Sequence, residues 1–184
     1  MANDELLLRA LDVPVPSATD VGEAGELVVM TIKPAFAFAI TLWFWDGGGN
    51  TGGTLGAADM ASGDLLRVMT ALSRGETPPP APSHRLERTS ITRRDCDAIH
   101  EALAYAALYS LPEKPLTGTD GLVLAVDARR GKTGLHSFTA WAPGQPHTAV
   151  LRALCEPVLV RFRAHPWITS AVTKALDPSA DELV

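Results

Sequence analysis

The chain has 184 residues, is 46% hydrophobic and 20% charged, and carries a net charge of −5. Area scaling lets about 70% of such a chain's surface be buried on folding, enough for one domain with a core that needs no staples. The composition excludes wholesale disorder and a collagen-like repeat, and the acidic balance disfavours a general nucleic-acid-binding surface, which carries a basic excess.

In chain order, Asp4 can cap a short helix through Leu11, which Pro14 and Pro16 end. Asp4 and Glu5 stand where an export signal carries positive charge, so no signal is read and the cytoplasm is the default compartment. From Glu26 to Trp45 the pattern is that of strands. Phe36, Phe38, Ile40, Leu42 and Phe44 share one face, and Ala35, Ala37, Ala39, Thr41, Trp43 and Trp45 the other. Lys33-Pro34 is either the turn of a hairpin or a bulge in one long strand. The apolar run Ala35 to Trp45 is too short for a membrane helix, which needs about 20 residues. Gly47 to Gly56 reads as a flexible loop, and Ser62 or Asp64 starts a helix ended by Gly75. The proline-rich connection 76–83 is a loop or a weak linker.

His84 to Ile91 is a short basic strand, followed by a capping box, Thr92 to Asp95, and a helix to about Tyr109. Asp120-Gly121 opens a hairpin of strands Val123 to Ala128 and Leu135 to Trp141. Pro146 suits the first turn of a helix reaching Phe162, in which Pro157 predicts a kink or break. Trp167 to Leu176 forms one more helix, and the acidic end 177–184 frays. The expected fold is one α+β domain over 1–184, an antiparallel sheet of about 4–5 strands with about 3–4 helices mainly on one face.

Motifs for chemistry are few. Gly131-Lys132-Thr133 imitates the end of a phosphate-binding loop, but Val126 stands where the first glycine belongs and a strand follows instead of a helix. Asp97, His100 and Glu101 share a helix face, yet one turn rarely supplies three metal ligands, so a solvated face is expected and no metal. Cys96 and Cys155 lie in apolar helical patterns, too few for a disulfide framework, and read as buried free thiols. Arg85, Arg88, Arg93 and Arg94 have no interleaved aromatics and read as a solvated basic edge strand. No catalytic residue and no cofactor site is read.

One stretch carries a more specific pattern: Leu111-Pro112, Thr119-Asp120-Gly121, a strand, a turn, His136 in a second strand, then Trp141-Ala142-Pro143. Over about Thr92 to Phe162 the chain resembles uncharacterised bacterial α+β proteins with the same order of features. The resemblance implies architecture and no chemistry.

The expected function is a non-catalytic protein-binding module, most specifically an immunity-type protein that neutralises a bacterial toxin, because an acidic surface steers toward a basic partner. The alternatives are a small-molecule-binding protein or enzyme with an apolar tryptophan-lined pocket, and a housekeeping domain. Candidate partner or ligand contacts are Trp43, Trp45, Asp120, His136 and Trp141. Neither nucleic acid nor a membrane is expected as partner, and the oligomeric state is open.

Overall fold

The alternation that begins at Glu26 runs in two strands, not one. A computed structural model of the chain, which describes residues 25–34, 39–60, 70–71, 74–77, 85–114, 121–131 and 134–177, gives β1 (Glu26–Pro34) and β2 (Ala39–Asp46) as antiparallel partners. The hairpin therefore holds over one bulged strand, but Lys33 and Pro34 are not its turn: both belong to β1 and pair with Val123 and Leu122 of β5. β3 (Gly53–Met60) and β4 (Leu86–Ile91) follow, then β5 (Leu122–Arg130) and β6 (Gly134–Trp141). The helices are α1 (Arg93–Tyr105), α2 (His147–Arg161) and α3 (Pro166–Leu176). The strands form one antiparallel sheet in the order β4-β3-β2-β1-β5-β6. The fold is α+β, with six strands among the described residues rather than four or five.

The extra strand is β3, half of which falls in the glycine-rich stretch read as loop. Glycine and alanine are poor strand formers by propensity, but tertiary context demands them here. Gly56 pairs with Trp43, and a Cβ on Gly56 would lie 1.9 Å from Cζ2 of that indole. The small residues of β3 leave room for the large ring of β2.

One face of the sheet carries Val28, Met30, Ile32, Ile40, Leu42, Phe44, Leu55, Leu124, Val126 and Phe138, all buried. They join Cys96, Ile99 and Leu103 of α1, Val150, Leu154 and Val158 of α2, and Ile168 and Val172 of α3 in one core cluster. So the described helices share one face, as patterning requires. The opposite face is also buried at Ala39, Thr41 and Trp43. Phe36, Phe38, the helix expected over residues 4–11, residues 62–69 of the helix expected to end at Gly75, and the acidic end 178–184 lie outside the described residues, while residues 70–71 are helical and Gly75 has a positive φ of 67°.

α1 opens with the expected capping box. The Asp95 amide donates to Thr92 Oγ1, and the Thr92 amide donates to Asp95 Oδ2 at 2.9 Å. The helix ends earlier than expected, because Ala107 takes a left-handed conformation (φ 53°) and a 3-10 turn, Leu108–Ser110, follows. α2 continues through Pro157, so of the expected kink or break the break does not occur.

The Thr92 hydroxyl and amide, with Arg161, hold the Asp95 carboxyl at about 2, below its usual 3.8. A carboxyl depressed on folding stabilises above its unfolded value, and that contribution disappears as pH falls through the folded one. Asp95→Asn should therefore cost about 1 kcal/mol at pH 7, the usual worth of a cap. The gap in melting temperature between wild type and variant should close between pH 4 and pH 2.

Candidate functional site

Strand parity builds an ionic cluster at one end of the sheet. Glu26 continues the face of Val28 and Met30, and Asp46 that of Leu42 and Phe44, so both carboxylates turn inward beneath α1. They are direct cross-strand partners, and Arg130 of β5 faces Glu26 from the other side. Their side chains are 3% and 2% exposed. Two like charges side by side in a sheet repel, and burying a charge costs several kcal/mol unless partners replace water. The cluster supplies those partners.

Arg93 and His100 come from one face of α1, at i and i+7, with Asp97 between them. Arg93 Nη1 donates to Asp46 Oδ2 at 2.7 Å, and Arg93 Nη2 lies 2.8 Å from Asp97 Oδ1. Asp46 Oδ1 accepts the Gly48 amide at 2.9 Å. Glu26 Oε1 accepts the Tyr109 hydroxyl at 2.5 Å and Arg130 Nη2 at 3.0 Å. The Arg130 guanidinium also sits over the Tyr109 ring, 4.8 Å from its centroid.

His100 closes the arrangement. Its Nε2 lies 2.9 Å from Glu26 Oε2 and 3.5 Å from Asp46 Oδ2, in close contact rather than a well-aligned hydrogen bond. Its Nδ1 lies 3.4 Å from Arg93 Nη2. A guanidinium only donates, so Nδ1 is the acceptor and Nε2 carries the proton, aimed between two carboxylates. The ring also meets Phe44 edge-on at 5.2 Å. His100 is thus not part of the solvated face expected for it. Asp97 is solvent-exposed and paired with Arg93, and Glu101 is exposed.

These contacts set the acid–base behaviour. Burial alone would raise the Glu26 carboxyl, but His100, Tyr109 and Arg130 outweigh it and hold it below the usual range. Burial and the adjacent Glu26 push the Tyr109 phenol up. Hydrogen bonds to Asp46 and Asp97 hold Arg93 charged. Burial lifts the Cys96 thiol to about 11 and the Cys155 thiol to about 12, far from nucleophilic thiolates.

The tautomer that Arg93 imposes on His100 leaves no lone pair on Nε2 for a metal. Among the described residues no group of His, Cys, Asp or Glu is arranged to hold a metal ion, and no helix is long and apolar enough to cross a membrane.

The residues singled out from the sequence lie elsewhere. Trp43 and Trp45 share the face opposite the cluster. Trp43 is 1% exposed and lies over Gly56, while the Trp45 ring packs on Gly47. Trp141 occupies the same face, packed on Gly121, but on β6, three strands from β2. That is roughly 14 Å across the sheet, and the structure does not gather the three indoles into one pocket. His136 is on the helix-covered face, where Nε2 donates to the Leu111 carbonyl at 3.1 Å and the ring neighbours Tyr109 and Phe138. Asp120 lies outside the described residues.

The cluster was legible in part. A charged residue that continues an apolar alternation, as Glu26 and Asp46 both do, marks a buried carboxylate. Their pairing depends on strand register, which no spacing reveals. No protein-family model matches the chain, and no curated protein matches it.

Proposed function

We propose that the protein is a non-catalytic protein-binding module. The observation that carries this reading is the closure of the ionic cluster. A general acid or base must keep a proton or lone pair within reach of a substrate. Here both ring nitrogens of His100 face cluster partners, the Tyr109 hydroxyl donates to Glu26, and Asp46 accepts from Arg93 and Gly48. These groups face one another in linking α1 to β1 and β2, and the turn after α1 to β1 and β5, with Glu26 Oε2 and His100 Nε2 in close contact rather than an aligned hydrogen bond. Both cysteines are buried besides.

The sharper form of the reading is an immunity-type protein that caps a toxin. The charge argument for a basic toxin now has a location. Residues 1–24 hold five acids against one arginine, and residues 178–184 two acids, together −6 of the total −5, which leaves +1 for residues 25–177. A basic partner would be steered by residues 1–24 and 178–184 rather than by residues 25–177.

The test is co-expression with the neighbouring gene of the source genome. The neighbour is expressed alone and then with this protein, and surviving cells are counted. Killing by the neighbour, rescue by this protein and a co-eluting complex support the toxin form. A harmless neighbour, or neither rescue nor binding, removes it.

A further inference from the structure

We propose that the open edge of β4 receives an acidic, extended segment of a partner protein as an added strand. The proposal rests on the protein-binding reading and names the kind of partner segment. β4 is the last strand at its side of the sheet. The Asp59 amide donates to the Arg85 carbonyl at 3.0 Å, and the register continues Ala58↔Leu86 to Gly53↔Ile91. Backbone groups alternate sides along an antiparallel strand. Residues 85, 87, 89 and 91 therefore face β3, and Leu86, Arg88 and Ser90 turn their N–H and C=O outward. Among the described residues no backbone group bonds them, and Arg88 and Ser90 are exposed.

The charge beside this edge has one sign in excess. The Arg161–Asp95 contact at 2.6 Å and the His165–Glu87 contact at 3.3 Å draw the α2–α3 turn against β4 and the start of α1. Arg88, on the face of the sheet away from the helices, and Arg94 of α1 and Arg163 of the α2–α3 turn, on the helix side, are exposed, and none has an acidic partner among the described residues. Asp59, Glu87 and Asp95 are already engaged with Arg85, His165 and Arg161. An incoming strand thus finds outward backbone groups, of which the Ser90 carbonyl also accepts the Thr89 hydroxyl at 3.4 Å, and exposed guanidinium groups on both faces of the edge. Main-chain bonds would give affinity and the arginines selectivity for acidic side chains.

A second copy of this strand fits poorly in two of its registers. Antiparallel self-pairing centred on Arg88 or on Glu87 sets like charges directly opposite each other. The opposite edge is less available, because Lys114 already bridges to Ala140 and its amide donates to the Thr139 carbonyl. This sign of charge is not the one the overall composition suggested for the partner.

The probe is a fluorescent peptide of alternating glutamate pairs and valine pairs, so that acids fall on both faces of an added strand, with a matching lysine–valine control and a form N-methylated at alternate amides. Binding to the full chain is read by anisotropy at low salt. The acidic peptide should bind and the lysine peptide should not. Arg88→Glu and Arg94→Glu should each weaken binding about three- to tenfold, and added salt should do likewise. Arg88→Pro is the decisive variant, because an outward N–H on an edge strand tolerates proline. It should abolish binding where Arg88→Ala only weakens it. Should Arg88→Pro fail to fold, the N-methylated peptide reads the same bonds from the other side and should not bind. No acidic-peptide binding, or binding indifferent to N-methylation, overturns strand addition. So does a single-stranded oligonucleotide of equal charge that competes more tightly, or dimerisation of the chain blocked by Arg88→Pro. If a partner from the co-expression test still co-elutes with the folded Arg88→Pro variant, this edge is excluded while the binding reading stands.

Discussion

Glu26→Ala should lower stability at pH 7 by about 2–4 kcal/mol. Removing one partner of a buried ion pair costs about 3–5 kcal/mol, because the remaining charges stay desolvated. The Arg130 side chain is 54% exposed and that of His100 28%, so both can turn partly to water, and the lower part of the range applies. For a chain of this size that is a fall in Tm on the order of 5–15 °C. Glu26→Gln should cost less, because a side-chain oxygen still accepts from Tyr109. The effect also has a pH signature. The Glu26 carboxyl lies below its usual 4.5 in the folded state, so its stabilisation is present above that pH and lost as pH falls through the folded value. The deficit of Glu26→Ala should shrink below about pH 4.5. A deficit under about 1 kcal/mol at pH 7 would mean that the cluster does not fasten α1 to the sheet.

The second large effect is a coupling between Trp43 and Gly56. Trp43→Ala empties the site of a side chain that is 1% exposed and should cost about 3–5 kcal/mol. Gly56→Ala puts a methyl where Cζ2 of the indole lies 1.9 Å away and should cost about 1–3 kcal/mol through displacement of the ring. The two costs should not add. With the indole gone the new methyl has room, so Gly56→Ala should be nearly neutral in the Trp43→Ala background, a coupling of about 1–3 kcal/mol. Additive costs in chemical denaturation would show that Gly56 is small for some other reason than this ring.

This pair also shows where sequence reading stops. The period-two pattern of Ile40, Leu42 and Phe44 was enough to place β2 with its large face in the core, and the Thr92–Asp95 capping box was enough to start α1. β3 was missed because glycine and alanine signal loop when propensity is read locally. Their use as a floor for Trp43 exists only once β2 and β3 pair. The same gap hid the cluster. Glu26 and Asp46 lie 20 positions apart and Arg130 another 84 beyond Asp46. Only the register of β1 with both neighbours makes them one row. His100 was noticed for its helical neighbours Asp97 and Glu101. Its actual partners come from the sheet beneath it, which helix periodicity does not describe.

The ionic cluster is a structural fastening, and the tautomer of His100 tests that most directly. Long-range nitrogen–proton correlation of the imidazole in the labelled, folded protein distinguishes the two ring nitrogens. The expected spectrum has a bare Nδ1, accepting from Arg93, and a protonated Nε2 held between Glu26 and Asp46. A bare Nε2, or a proton on Nδ1, would contradict it, because His100 would then hold a lone pair or proton that the cluster does not use.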